Sequence, residues 1–256
     1  MLHPDIWLGL KQGLLLGTAA LALVVPTQPV RLAPRPSAVP APASPLALLA
    51  RLRRELEAAS LQPSADLRRV AEWVVGSHDN AGLPFAIIDK KQAQIFLFDA
   101  QGAVLGASPA LLGRAPGDDS VPGIGQRPIA AVRPEERTTP AGRFVTQPGR
   151  NASHENVLWV DYEAAVSMHR VRLSNPAEHR LERLNTPDIG DNRISYGCIN
   201  LPPAFFNDLV WPRFSPRGGV TYVLPEVKPL DAVFPAVPRL APKPEQAPET
   251  GAFAAI

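Results

Sequence analysis

The chain has 256 residues, 45% hydrophobic and 20% charged, with a formal net charge of +2. That is ordinary globular composition with enough apolar material for a core. The single cysteine excludes an intramolecular disulfide framework, and the basic run Arg51, Arg53, Arg54 is followed at once by Glu55 and Glu57, so it reads as a solvated helix face and no nucleic-acid surface is expected.

Thirty prolines, against a usual frequency of ~5%, cluster at the two ends, so the globular part is shorter than the chain. Residues 14–25 form a run without charge, preceded by Lys11. It suits the apolar centre of a signal peptide and falls short of the ~20 residues that a spanning helix needs. The triplet Ala20-Leu21-Ala22 resembles a cleavage site but lies inside the run, so residues 1–25 are expected to be a signal peptide or an uncleaved membrane anchor. Residues 26–45 read as an extended proline-rich linker.

Ser44 and Pro45 then suit the cap and first position of a helix with Leu46, Leu49, Leu52 and Leu56 at helical spacing. A second helix is expected over 64–75, with Leu67, Val70, Ala71 and Val74 on one face and Gly76 ending it. Together they make a helical hairpin within residues 46–80, packed beside the main domain. From Leu83 the pattern changes to short strands, at 85–89, 94–98 and 103–108, with turns at Lys90-Lys91 and Asp99-Ala100-Gln101-Gly102. A Gly/Pro-rich loop follows over 113–134. Further strands are expected at 142–146, 157–162, 165–171 and 220–224, and a late helix at 202–210. Residues 81–226 thus form a mainly β domain with minor helix, and residues 227–256 read as a disordered Pro/Ala-rich tail.

The chemistry concentrates in Ile194-Ser195-Tyr196-Gly197-Cys198-Ile199-Asn200. Gly197 lets the backbone turn tightly before the cysteine. A thiol of ordinary pKa, about 8.5, is only a few per cent ionised near neutrality, so a nucleophilic Cys198 needs an imidazole partner. His3 lies in the export segment, His78 in a local turn and His154 in a polar loop. His169, at the end of an alternating strand, and His179, in a polar stretch, remain.

Ser195-Tyr196-Gly197-Cys198-Ile199-Asn200 resembles the signature of the L,D-transpeptidase catalytic domain, also called the YkuD domain. Thr139-Pro140-Ala141-Gly142-Arg143-Phe144 resembles that family's Thr-Pro-x-Gly-x-Phe element, and residues 85–108 its opening strands. The resemblance spans about residues 83–225. Tyr196 stands where the family usually has histidine, and Arg170 follows His169 where it usually has glycine. The resemblance implies an α+β fold, a β-sandwich or barrel preceded here by the helical hairpin. It implies a cysteine acyltransferase acting on peptidoglycan stem peptides through a Cys198 thioester, without metal or cofactor. His169 is the expected base on strand placement, although His179 lies closer to the family's spacing from Ser195. Backbone N–H groups of Gly197 and Cys198 are the expected oxyanion donors. Ser195 shapes the turn, and Tyr196, Asn200 and Arg170 support the pair or the substrate. Such an enzyme would be exported to the periplasm, secreted or held at the inner membrane by its N-terminal segment. Two other readings stay open: a hydrolase of the same fold (an L,D-carboxypeptidase or amidase), and a non-catalytic wall-binding module. The lack of a His-Glu-x-x-His pair or a cysteine pair argues against a zinc enzyme.

Overall fold

A computed structural model describes residues 44–239. The expected export segment, nearly all of the proline linker and residues 240–256 lie outside the described residues. Helix α1 (Pro45–Glu57) starts where Ser44 Oγ accepts the Ala47 N–H at 3.2 Å, and α2 (Ala65–Ser77) where Ser64 Oγ accepts the Leu67 N–H at 3.2 Å. Gly76 lies inside the last turn of α2 and does not end it. His78, at φ 58°, closes the helix in the left-handed conformation.

The strands are β1 (Phe85–Asp89), β2 (Gln94–Phe98), β3 (Val104–Pro109), β4 (Leu112–Gly113), β5 (Gly142–Arg150), β6 (Asn156–Asp161), β7 (Val166–Arg170), β8 (Arg193–Ser195), β9 (Ile199–Leu201) and β10 (Gly219–Val223). Eight form one sheet in the order β3-β2-β1-β10-β5-β6-β7-β9, and β4 pairs with β8. The pairs β1–β10 and β7–β9 are parallel and the other pairs of the large sheet antiparallel. Helix α3 (Arg180–Asn185) lies between β7 and β8. A π-helical turn (Phe205–Val210) continues into α4 (Trp211–Phe214), and α5 (Leu230–Val233) follows β10.

Both faces of the sheet centre are covered, which explains why β1 and β2 read as nearly continuous apolar runs. Phe85, Ile87, Phe96, Phe98 and Tyr222 point to one side, where Leu52, Leu56, Leu67, Val70 and Val74 of the hairpin meet them. The hairpin is therefore a layer of the domain, sharing its core. On the other side, Ala86, Ile88, Ile95 and Leu97 pack with Met168, Ile199, Phe206 and Phe214. The alternation is the period of two of a strand.

Two further expectations change. Strand β5 runs to Arg150, well past the expected end at Thr146, because its two halves have different partners. Gly142–Thr146 pairs with β10, and Gln147–Arg150 pairs with β6. The expected boundary at residue 226 falls inside packed structure, since Leu230, Phe234 and Val237 are buried in the hairpin-side core. Lys90 stands in the turn after β1, as expected, and is fully buried. Its ammonium donates to the carbonyls of Gly117 and Thr139 and to Asp118 Oδ1 at 2.8 Å, with Glu226 3.4 Å away, and Arg193 pairs with Glu226. A buried lysine is tolerated only when its charge and donors are satisfied in this way. The network pins the long 113–141 loop, and with it Thr139, against the sheet.

Candidate active site

Strand β7 sets one wall of the site. Val166 and Met168 point into the core, so Ser167 and His169 point the other way. Parallel pairing of Met168 with Ile199 and of His169 with Asn200 brings Cys198, the residue before β9, alongside Ser167. The Ser167 N–H lies 3.5 Å from Cys198 Sγ and the Ser167 hydroxyl 3.6 Å from it. Ser167, His169 and Cys198 line a cavity of about 320 Å³, together with Trp159, Tyr196 and Arg180.

The turn that carries Cys198 is held from four directions. Ser195 Oγ donates to the Cys198 carbonyl at 2.6 Å and accepts the Gly197 N–H at 3.1 Å. Asn200 Nδ2 donates to the same Cys198 carbonyl at 3.1 Å, and Arg180 donates to Asn200 Oδ1 at 2.7 Å. Thr139 Oγ1 donates to the Gly197 carbonyl at 2.8 Å and accepts the Gly113 N–H at 2.9 Å. Gly197 itself has φ +120°, and a Cβ there would sit 2.6 Å from the Thr138 carbonyl oxygen. Only glycine meets both demands.

Burial pushes the Cys198 thiol up. The neighbouring His169 imidazole, with the Ser167 N–H and hydroxyl, outweighs that push and holds it below its ordinary value. His169 Nδ1 lies 2.7 Å from the Arg170 carbonyl oxygen. A carbonyl can only accept, so Nδ1 carries a proton and Nε2 is the ring nitrogen left to take one. The guanidinium of Arg170 turns away to Glu155, 3.2 Å distant, which also pairs with Arg172.

The structure therefore gathers Ser195, Tyr196, Gly197, Cys198 and Asn200 around one turn, sets His169 on the neighbouring strand β7, and brings Arg170 in through its backbone. Tyr196 is partly exposed, with the Arg137 guanidinium 3.8 Å from its ring centroid. The Gly197 N–H is committed to Ser195, so Gly197 contributes conformation and not the expected oxyanion donor. No protein acceptor takes the Cys198 N–H among the described residues. His179 stands apart, exposed, 2.9 Å from Glu182 and outside the cavity lining. Two residues went unnoticed as site members: Ser167 and Arg180. Ser167 sits two residues before His169 on one strand, a spacing that puts both on one face.

No family model matches the sequence, and no curated protein matches it. Among solved structures the chain is similar to an L,D-transpeptidase of Enterococcus faecium, at 16% identity and a TM-score of 0.33, over 55% of this chain and 49% of that one. It is similar to the catalytic domain of E. faecium L,D-transpeptidase at 17% identity and a TM-score of 0.32, over 55% and 95%. It is also similar to an L,D-transpeptidase from Mycobacterium smegmatis at 18% and 0.31, over 55% and 58%. The chain spans about half the length of the first of these. A likeness of this depth carries no activity across, and the side chains around Cys198 must answer that question themselves.

Proposed function

We propose that this chain is a cysteine acyltransferase, an L,D-transpeptidase acting on peptidoglycan stem peptides. The observation that carries the reading is the placement of Cys198 and His169 on the wall of one cavity, with His169 Nδ1 tied to the Arg170 carbonyl; the lowered pKa of the thiol agrees with it. The Cys198 thiolate attacks the carbonyl that joins the L-centre of a stem's diamino acid to D-Ala. The oxyanion that forms is met by the Cys198 N–H, the donor left free at the turn. His169 takes the thiol proton and returns it to the departing D-Ala amine. An acceptor amine then attacks the thioester, giving up its proton to His169 and restoring the thiol. The chemistry needs no metal or cofactor.

Ser167 and the fixed turn keep Sγ in register with the imidazole, and Asn200 and Arg180 stiffen the turn from below. A substrate of this kind lies outside the cytoplasm. The proposed layout is therefore an exported periplasmic enzyme whose apolar N-terminal segment, followed by the proline linker, sends it across or tethers it to the inner membrane.

The test is incubation of the purified chain with a disaccharide-tetrapeptide and a diamino-acid amine, with mass spectrometry of the products. Loss of D-Ala with formation of a new amide supports the transferase. Loss of D-Ala with hydrolysis alone assigns a hydrolase. No turnover, with retained binding, assigns a wall-binding module.

A further inference from the structure

Beside the Cys198 cavity lies a larger one, of about 640 Å³, which the transpeptidase reading does not use. The two share Trp159 and Ala165. Ala165 is also the residue whose carbonyl oxygen lies 3.8 Å from Cys198 Sγ, so a ligand in the larger cavity is continuous with one at the thiol.

Its floor is aromatic. Trp159, on β6, pairs with Gln147 on β5, and its indole leans diagonally over Gly149, where a Cβ would come within 2.7 Å of it. The glycine lets the indole settle on the sheet backbone. Tyr162, at the end of the β6–β7 hairpin, packs edge-to-face on it, with centroids 5.2 Å apart and an interplanar angle of 73°. Tyr162 is 77% exposed. A large aromatic ring left in water has lost the burial that ordinarily places it. The walls are Gly123 and Gly125, and the rim carries the Gln126 amide and the Glu163 carboxylate. Neither of those side chains bonds to another described residue.

We propose that this cavity binds a pyranose ring of the glycan that carries the stem peptide, a reading that rests on the transpeptidase assignment for its choice of substrate. The chemistry matches a sugar. A pyranose offers a face of C–H groups, which packs on an aromatic face, and a rim of hydroxyl and acetamido groups. A carboxylate accepts from that rim, and an amide both donates to it and accepts from it. Gly123, with nothing within 4 Å of where a Cβ would stand, leaves width for a ring. A lone acceptor ammonium would also be drawn to aromatic faces and a carboxylate, but the cavity is far larger than it needs.

The experiment uses the full chain and four ligands: tri-N-acetylchitotriose, Nα-acetyl-lysine amide and two donors, the free tetrapeptide and the disaccharide-tetrapeptide. Calorimetry reads binding without turnover, and steady-state kinetics reads KM. Chitotriose is expected to bind, and Tyr162→Ala to weaken it about tenfold, the loss expected for one stacked aromatic. The same variant is expected to raise KM for the disaccharide-tetrapeptide by a similar factor and leave kcat and KM for the free tetrapeptide unchanged. The proposal is overturned if chitotriose does not bind, if Tyr162→Ala leaves its affinity unchanged, if both donors lose equally, or if the lysine amide binds there and chitotriose does not. The two readings fail separately. Tyr162-dependent chitotriose binding by a chain that turns over neither donor keeps the sugar site and removes the transpeptidase. Turnover without chitotriose binding does the reverse.

Discussion

Replacing Thr139 by valine tests how the nucleophile turn is held. The residue is fully buried, and its hydroxyl bridges the Gly113 N–H at 2.9 Å and the Gly197 carbonyl at 2.8 Å. Valine has nearly the same shape but leaves both backbone groups without a partner. Each buried unsatisfied group costs about 1–3 kcal/mol, so the pair costs about 4 kcal/mol. Thr139→Ser keeps the hydroxyl and loses one methyl, a cost of about 1 kcal/mol. Urea denaturation read through midpoint and slope separates the two. In the folded fraction, the valine variant is also expected to turn over more slowly, because Gly197 and Cys198 lose their tie to the pinned 113–141 loop. The reasoning is refuted if Thr139→Val is no less stable than Thr139→Ser and equally active.

Other outcomes follow from the same contacts. His169→Ala is expected to slow iodoacetamide labelling of Cys198 and abolish turnover, and His179→Ala, outside the cavity, to change neither; the reverse pattern in a pH–rate series would reassign the base. Gly197→Ala is expected to inactivate the protein and lower its melting temperature, since it forces a side chain into a φ of +120° and against the Thr138 carbonyl; a crystal structure of an active alanine variant would contradict this. In acid, Asp118 is the group to watch. Burial pushes its carboxyl up, but the N–H groups of Lys228, Glu226 and Val227 and the Lys90 ammonium together hold it at about 2, below its unfolded value of 3.8. A depressed folded pKa contributes stability that is fully present above the unfolded value and lost as pH falls through the folded one. Between pH 3.8 and about 2, therefore, Asp118 should cost the wild type roughly 2 kcal/mol, read as a fall in denaturation midpoint. Asp118→Asn, less stable at neutral pH, should show a flatter slope across that window.

Much of this was legible because the sheet centre obeys simple rules. Residues 85–89 and 94–98 are apolar on both sides and bounded by turn residues, so they could only be buried strands. Ser44 announced its helix because a hydroxyl before an apolar period is a cap. The Cys198 turn was legible from Gly197, and His169 from alternation along its strand. What stayed hidden depends on contacts distant in sequence. Strands β8 and β9 are three residues each, too short to show a period, and exist because β4 and β7 pair with them. Lys90 is a turn lysine as expected, but its burial stayed hidden because its partners Asp118 and Glu226 lie 28 and 136 positions away. Ser167 looked like an ordinary polar strand residue until Cys198 arrived beside it. Leu230, Phe234 and Val237 were masked by the prolines among them, which suggested a tail where the chain packs.

The account stands on Cys198 forming the acyl bond. The direct measurement is a rapid quench of the full chain with disaccharide-tetrapeptide, followed by digestion and mass spectrometry of the peptide that contains Cys198. The predicted result is a thioester-linked acyl group on Cys198 in the wild type, and none in a folded Cys198→Ser variant, whose hydroxyl is far harder to ionise. An acyl group on another residue, or turnover by Cys198→Ser equal to wild type, would contradict it.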